Sequence, residues 1–197
     1  YGLKDQPTVA DVPHDVDLDE PINFIDMKGV PLDDPKWDTF ISQLSLDELA
    51  VSVSDYRGIQ AVPSIAKPAN TVAEGPEGML ATFNFGDKRH TTGFATLPLV
   101  AASWDHDLQI KHGTQYGEEA LFAGVAMVNG PGTNLVRTPY LGRTSEYFSE
   151  DGVLNYYCAG HVVGGMMSRG LIGNIKHCFM NNQETNRQRV SVFSLEQ

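Results

Sequence analysis

Short apolar runs alternate with longer helix-patterned segments, and this alternation constrains the fold more than any other feature. Residues 65–73 read as one strand and 96–103 as a second. Asp105 and Asp107 open a long helix, since acids are favoured at a helix N-terminus, and Gly124 stops it. Residues 125–128 read as a third strand. A second long helix covers about 152–169 with Gly170 as its stop, and 171–175 read as a fourth, buried strand. Strands alternating with helices predict a parallel sheet with helices outside it. Polar residues gather where each strand ends: Glu74, then Trp104-Asp105, then the loop 134–146, then Lys176-His177. Sites at the carboxyl ends of parallel strands are the (β/α)8 arrangement. The expected fold class is therefore α/β, a (β/α)8 TIM-type barrel represented by roughly its first half, about four strands, plus an N-terminal extension. A complete barrel takes roughly 250 residues, and 37–197 fall well short of that.

Residues 1–36 are rich in Asp and Pro, show no period, and read as an acidic extended arm or linker. Trp37, Phe40, Ile41 and Leu44 then recur at helical spacing. Ser45-Leu46-Asp47-Glu48 is a capping box, opening a helix with Leu46, Leu49, Ala50 and Val53 on one face. In the first long helix, Leu108, His112, Tyr116, Glu119, Ala120 and Ala123 track one side. His112 reads there as a packing residue, and Gly113 and Gly117 permit close approach of a neighbour. In the second, Val153, Leu154, Tyr157, Cys158, His161 and Val162 share a face. Residues 81–92 read as polar loop and Ser194 as a helix N-cap.

The net charge of −11, with no Lys/Arg run, argues against a nucleic-acid partner. No apolar run is long enough for a membrane helix. The chain begins at Tyr1 without a signal-peptide pattern, so a processed or internal piece is expected and the compartment stays undetermined. Cys158 and Cys178 lack metal-ligand spacing and read as small buried hydrophobes. No metal or cofactor is expected, and homo-oligomerisation is left open.

The densest chemistry lies in residues 176–187. Lys176 and His177 stand side by side where the last strand stops, before a loop carrying Asn181, Asn182, Gln183 and Glu184. Ammonium, imidazole and amide groups together supply many donors and several acceptors, which suits a polyhydroxylated ligand better than a flat apolar one. Three other readings compete. Glu146 and Glu184 could form a catalytic carboxylate pair. His177 and Glu184 could serve a metal hydrolase, although no HExxH-like spacing supports it. Arg143 and Glu146 could be a plain surface ion pair.

Two long motifs bear on this choice. Asn134-x-x-Arg137-Thr138-Pro139-x-x-Gly142-Arg143-x-x-Glu146-Tyr147-Phe148-Ser149-Glu150-Asp151 is followed by Lys176-His177 and Asn182-Gln183-Glu184-Thr185-Asn186-Arg187. Together they resemble the β-glucosidase-like branch of glycoside hydrolase family 3. Leu46-Asp47-Glu48-Leu49 falls where that family has its "LSLEEM" helix, Glu74-Gly75-Pro76 where it has "DGP", and Trp104-Asp105 where it has "ATWD". The similarity runs from about Trp37 to Arg189. It implies that 37–197 form the first part of a (β/α)8 barrel, truncated before the nucleophile strand. It implies retaining hydrolysis of terminal β-D-glucosidic bonds. Glu74, Arg143, Lys176 and His177 would bind the sugar, a β-glucoside or glucose, in the −1 subsite, with Arg137, Glu146, Asn182 and Glu184 supporting them. The nucleophile Asp and the acid/base Glu are expected outside this chain, in the remaining part of the same enzyme. Glu74 departs from the family Asp by one methylene, and Thr144-Ser145 replace the usual Asn-Phe. The "KHFPGHG" version of the strand-end motif, typical of the N-acetylhexosaminidase branch, is absent, which favours glucosides. The alternatives are a non-catalytic sugar-binding or structural remnant and a β-xylosidase of the same family.

Overall fold

The computed structural model describes residues 13–55, 60–79, 91–177 and 180–189. The chain divides into two compact units, residues 1–70 and 71–197. The first holds helices α1 (Lys36–Ser42) and α2 (Leu46–Ser54) and short 3-10 turns at Phe24–Met27 and Pro63–Ile65. The Ser45 hydroxyl accepts from the Glu48 N–H at 3.2 Å, and Glu48 Oε2 accepts from the Ser45 N–H at 2.9 Å. The capping box thus fixes the start of α2 as its sequence requires. Met27, Phe40, Leu44, Val62 and Ile65 form a small core. The Asp15 and Val16 N–H groups donate to the Leu44 and Ser42 carbonyls, so the acidic segment is tied to this unit.

The second unit contains β1 (Val72–Glu74), α3 (Leu97–Ala102), α4 (His106–Ala123), β2 (Met127–Gly132), α5 (Gly152–Met167) and β3 (Ile172–Lys176). Its three strands are parallel in the order β1-β2-β3. Asp105 Oδ1 caps α4 through the Leu108 N–H at 3.0 Å, and Asp151 Oδ1 caps α5 through the Leu154 N–H at 2.7 Å. Gly124 ends α4 in a left-handed conformation that a residue with a Cβ rarely adopts. The core between sheet and helices includes Leu97, Tyr116, Val128, Phe148, Val162 and Met166.

Several expectations need correction. Residues 96–103 are not a strand: α3 buries Leu97, Val100 and Ala101 and exposes Leu99, a helical spacing. Pro98 sits in its first turn, where its missing N–H costs nothing. So short an apolar run carries no clear period, and periodicity does not separate the two states; Pro98 is the local sign of a helix start. Three strands, not four, are present among the described residues. The first strand is also shorter than 65–73. Ala66 turns the chain with a positive φ and Val62 bridges Lys67 in an antiparallel pair, leaving only Val72–Glu74 extended. By contrast β2 runs past 128 to Gly132. Three steps from Asn129 to Gly132 match two from Asn174 to Lys176, so the ladder bulges where Pro131 has no N–H to give.

β3 is not a buried strand: Ile172 is 56% exposed and Ile175 49%. Strand β2 covers one of its edges, and no strand pairs along the other among the described residues.

The α4–α5 contact is close because it is made of glycines. A Cβ on Gly113 would overlap the Val162 carbonyl oxygen, and one on Gly165 would overlap the Ile110 carbonyl oxygen. This contact sets the buried face of α5 as Asn155, Cys158, Ala159, Val162 and Met166. Val153 and Tyr157, grouped with Cys158 and Val162 on one face, are instead well exposed, as is Leu108 on α4. Cys178, Ser194 and most of the loop 81–92 lie outside the described residues. Among those described, no helix is long and apolar enough to cross a membrane.

Candidate active site

Strand register brings the first polar row together. Glu74 pairs with Asn129 across β1 and β2, and Asn129 with Asn174 across β2 and β3. Their side chains continue the row: Asn174 Nδ2 donates to Asn129 Oδ1 at 2.8 Å, and Asn129 Nδ2 donates to Glu74 Oε1 at 2.5 Å. The Tyr116 hydroxyl donates to the Gly75 carbonyl, fastening the turn after Glu74 to α4. Lys176, at the end of β3, places Nζ 3.4 Å from Glu74 Oε2 and 3.1 Å from Glu146 Oε2.

The loop after β2 returns to the sheet through a bridge between Gly132 and Tyr147. A Cβ on Gly132 would overlap the Glu146 carbonyl oxygen, so glycine is needed for this approach. The return delivers Arg143, which grips Glu146 in a two-point fork: Nε to Oε1 at 2.7 Å and Nη2 to Oε2 at 2.8 Å. Arg143 Nη1 also lies 3.4 Å from Glu184 Oε1, and Arg187 Nη1 lies 3.5 Å from Glu184 Oε2. The result is a chain of alternating charge: Glu74, Lys176, Glu146, Arg143, Glu184, Arg187.

His177 enters from the other side. Its Nδ1 lies 2.7 Å from the Tyr147 hydroxyl, which accepts from Asn181 Nδ2 at 2.6 Å. Asn181 Nδ2 also donates to Glu184 Oε1 at 3.1 Å. Buried Asn134 holds the Asn181 backbone by both groups: Oδ1 accepts from its N–H at 2.8 Å, and Nδ2 donates to its carbonyl at 3.2 Å.

Burial would raise the Glu146 carboxyl, but the Arg143 fork and the Lys176 charge outweigh it and hold Glu146 below its ordinary value. Arg143 is raised in turn, chiefly by its hydrogen bonds to Glu146. Burial lowers His177, and the Arg143 and Lys176 charges lower it further, so the imidazole is neutral at pH 7. Burial raises the Tyr147 phenol, which stays protonated. Burial also raises Glu77, whose Oε1 has no partner among the described residues.

The structure thus gathers Glu74, Arg143, Glu146, Lys176, His177 and Glu184. It does not gather the other two expected residues. Arg137 is exposed and makes no hydrogen bond or ion pair among the described residues, and Asn182 engages only its backbone N–H, to the Met180 carbonyl at 2.9 Å. Glu146 and Glu184 both lean on the Arg143 guanidinium, the geometry of partners that orient a cation. Asn129, Asn134, Tyr147 and Asn181 are site residues to which sequence reasoning assigned no role. The available signals were faint: Asn129 directly follows an apolar strand, and Asn181 begins the amide-rich loop. Among the described residues, no group of three or more His, Cys, Asp or Glu could hold a metal.

The unused groups define what the site can bind. Among the described residues, two of the three Lys176 N–H donors face carboxylates and one remains, Arg143 keeps two of its five, and His177 keeps Nε2. A cluster of spare donors beside one carboxylate matches vicinal hydroxyls.

No protein-family model matches the chain. It is 34% identical over 163 residues to an exo-α-(1→6)-L-arabinopyranosidase of Bifidobacterium longum, which covers 76% of this chain and 21% of that protein. The structure of β-glucosidase 3B from Thermotoga neapolitana in complex with glucose is 37% identical with a TM-score of 0.58, covering 64% of this chain and 18% of that one. The Bifidobacterium adolescentis GH3 β-glucosidase is 34% identical with a TM-score of 0.59, covering 66% and 19%. The chain spans about a fifth of the length of the relatives it matches. The strand-end geometry and these likenesses together place the chain, as a partial domain, in glycoside hydrolase family 3.

Proposed function

We propose that this chain is part of a retaining β-glucosidase and builds the floor of its −1 subsite on the first half of a (β/α)8 barrel. In this reading 37–197 are barrel and 1–36 lead into it. The observation that carries it is Lys176, set between Glu74 and Glu146 at the ends of parallel strands with one N–H to spare among the described residues. Glu74 accepts hydrogen bonds from sugar hydroxyls, while Lys176, Arg143 and His177 donate to them. Retaining hydrolysis needs two carboxylates about 5–5.5 Å apart across the scissile bond, and in this reading residues outside 1–197 supply both. The positive charges of Lys176 and Arg143 favour the ionised form of a nucleophile placed beside them. Hydroxyl contacts that tighten in the transition state lower its barrier. The glucose-bound relative supports the sugar assignment.

The test is hydrolysis of p-nitrophenyl β-D-glucoside by the full-length protein, with the product anomer followed by NMR. Release of β-glucose first is expected. A second reading, sugar binding without turnover, rests on Glu74, one methylene longer than the family Asp, because about 1 Å of misplacement can cost roughly a hundredfold. Glucose binding with no hydrolysis of glucoside or xyloside would select it, and faster hydrolysis of the xyloside would select a β-xylosidase.

A further inference from the structure

Tyr147 is fully buried, and among the described residues its hydroxyl has two polar neighbours, Asn181 Nδ2 and His177 Nδ1. Which atom carries which hydrogen follows from the charged end of this row. The Glu184 carboxylate can only accept. The Asn181 group 3.1 Å from Glu184 Oε1 is therefore the amide nitrogen. Its second hydrogen points to the Tyr147 oxygen at 2.6 Å. The phenol, already accepting, has one hydrogen to give. Were Nδ1 of His177 protonated, two donors would converge on the phenol oxygen and the phenol hydrogen would be buried without an acceptor. An orphaned buried donor carries a desolvation penalty. With Nδ1 bare, every hydrogen in the row has an acceptor.

We infer that Tyr147, oriented by Asn181 and Glu184, is a positioning residue that locks His177 in its Nε2–H tautomer, so that His177 offers the ligand a donor and never an acceptor. This rests on the −1 subsite reading for the identity of the ligand, a sugar hydroxyl, but not for the lock itself. The division of labour follows: accepting falls to Glu74, and donating to His177, Lys176 and Arg143. Among the described residues, the charged groups facing His177 are Arg143, Lys176, Glu146 and Arg187. Three cations against one carboxylate oppose a second proton on the ring, in the same sense as the lock. An imidazolium would turn Nδ1 into a donor and break the row while keeping Nε2–H, so protonation and loss of the Tyr147 contact are coupled.

The test is 15N NMR of the full-length protein carrying 15N-histidine, with the His177 signals assigned by their loss in H177Q. At neutral pH the expected spectrum has a bare Nδ1 and a protonated Nε2. A protonated Nδ1 in the wild-type protein overturns the lock, whatever any variant does. Y147F keeps the ring and removes the donor. It should give a mixture of tautomers, raise the pH at which His177 titrates, and raise KM for the aryl glucoside about tenfold with a smaller change in kcat. A Y147F protein with the wild-type spectrum and KM also overturns it. The two readings fail separately. A bare Nδ1 in a protein that binds no sugar keeps the lock and removes the subsite, whereas glucoside hydrolysis with a protonated Nδ1 does the reverse.

Discussion

The α4–α5 seam and the strand-end cluster are held by opposite means. The seam is shape: Gly113 and Gly165 bring two backbones together, with Tyr116, Cys158, Val162 and Met166 buried around them. The cluster is charge: three carboxylates alternate with Lys176, Arg143 and Arg187, and most of its side chains keep some solvent. Close packing tolerates almost no added volume. Partly exposed ion pairs contribute little to stability, but they fix donors and acceptors in space. The seam should therefore govern whether the domain folds, and the cluster what it binds.

The sharpest way to break this contrast is Gly113→Val. The new side chain meets the Val162 backbone, which has no flexible end to move aside. A loss of about 3 kcal/mol or more is expected by urea denaturation. Lys176→Met works in the opposite sense. It leaves Glu74 and Glu146 without a shared cation, yet stability should fall by only about 1 kcal/mol because the pairs are partly solvated. Aryl glucoside kcat/KM should fall about a hundredfold as transition-state contacts are lost. If Lys176→Met unfolds the protein as severely as Gly113→Val, the division between the regions is wrong.

The same division explains what was legible in the sequence. Helix starts at Ser45 and Asp105 and the stop at Gly124 were readable because capping is local chemistry, complete within four residues. The buried face of α5 and the exposure of β3 were not, because each depends on what a distant element presents. The charged members of the site could be named from motif resemblance. Their fastenings could not: Asn134 meets Asn181 across 47 positions, and Tyr147 meets His177 across 30. Nothing local in either partner records the other.

Asn134→Ala probes one of those fastenings. It removes two hydrogen bonds that hold the Asn181 backbone, at a buried position. A cost of about 2 kcal/mol is expected, together with a higher KM as Asn181 drifts from Tyr147. A stability loss with KM unchanged would show that Asn134 belongs functionally with the seam.

The smallest effect separates two neutral histidines. His112, on α4, packs against Phe94 at 5.1 Å, and its Nε2 is buried without a partner among the described residues. Burial alone lowers it, whereas His177 is lowered by burial and then by Arg143 and Lys176. Both have folded values below the ordinary imidazole value of about 6.5. Above that pH both are neutral in either state and cost nothing. As pH falls below it, the unfolded chain takes up the protons first, so stability declines. His112→Phe should flatten that decline by less than about 1.4 kcal/mol per pH unit, the limit for one proton. Lys176→Met then distinguishes the causes: removing the ammonium should move the His177 titration upward and leave His112 where it is. Added salt should act in the same direction on His177, weakly, because its neighbours are partly exposed. Equal shifts at both histidines would mean that the strand-end charges reach into the helix seam.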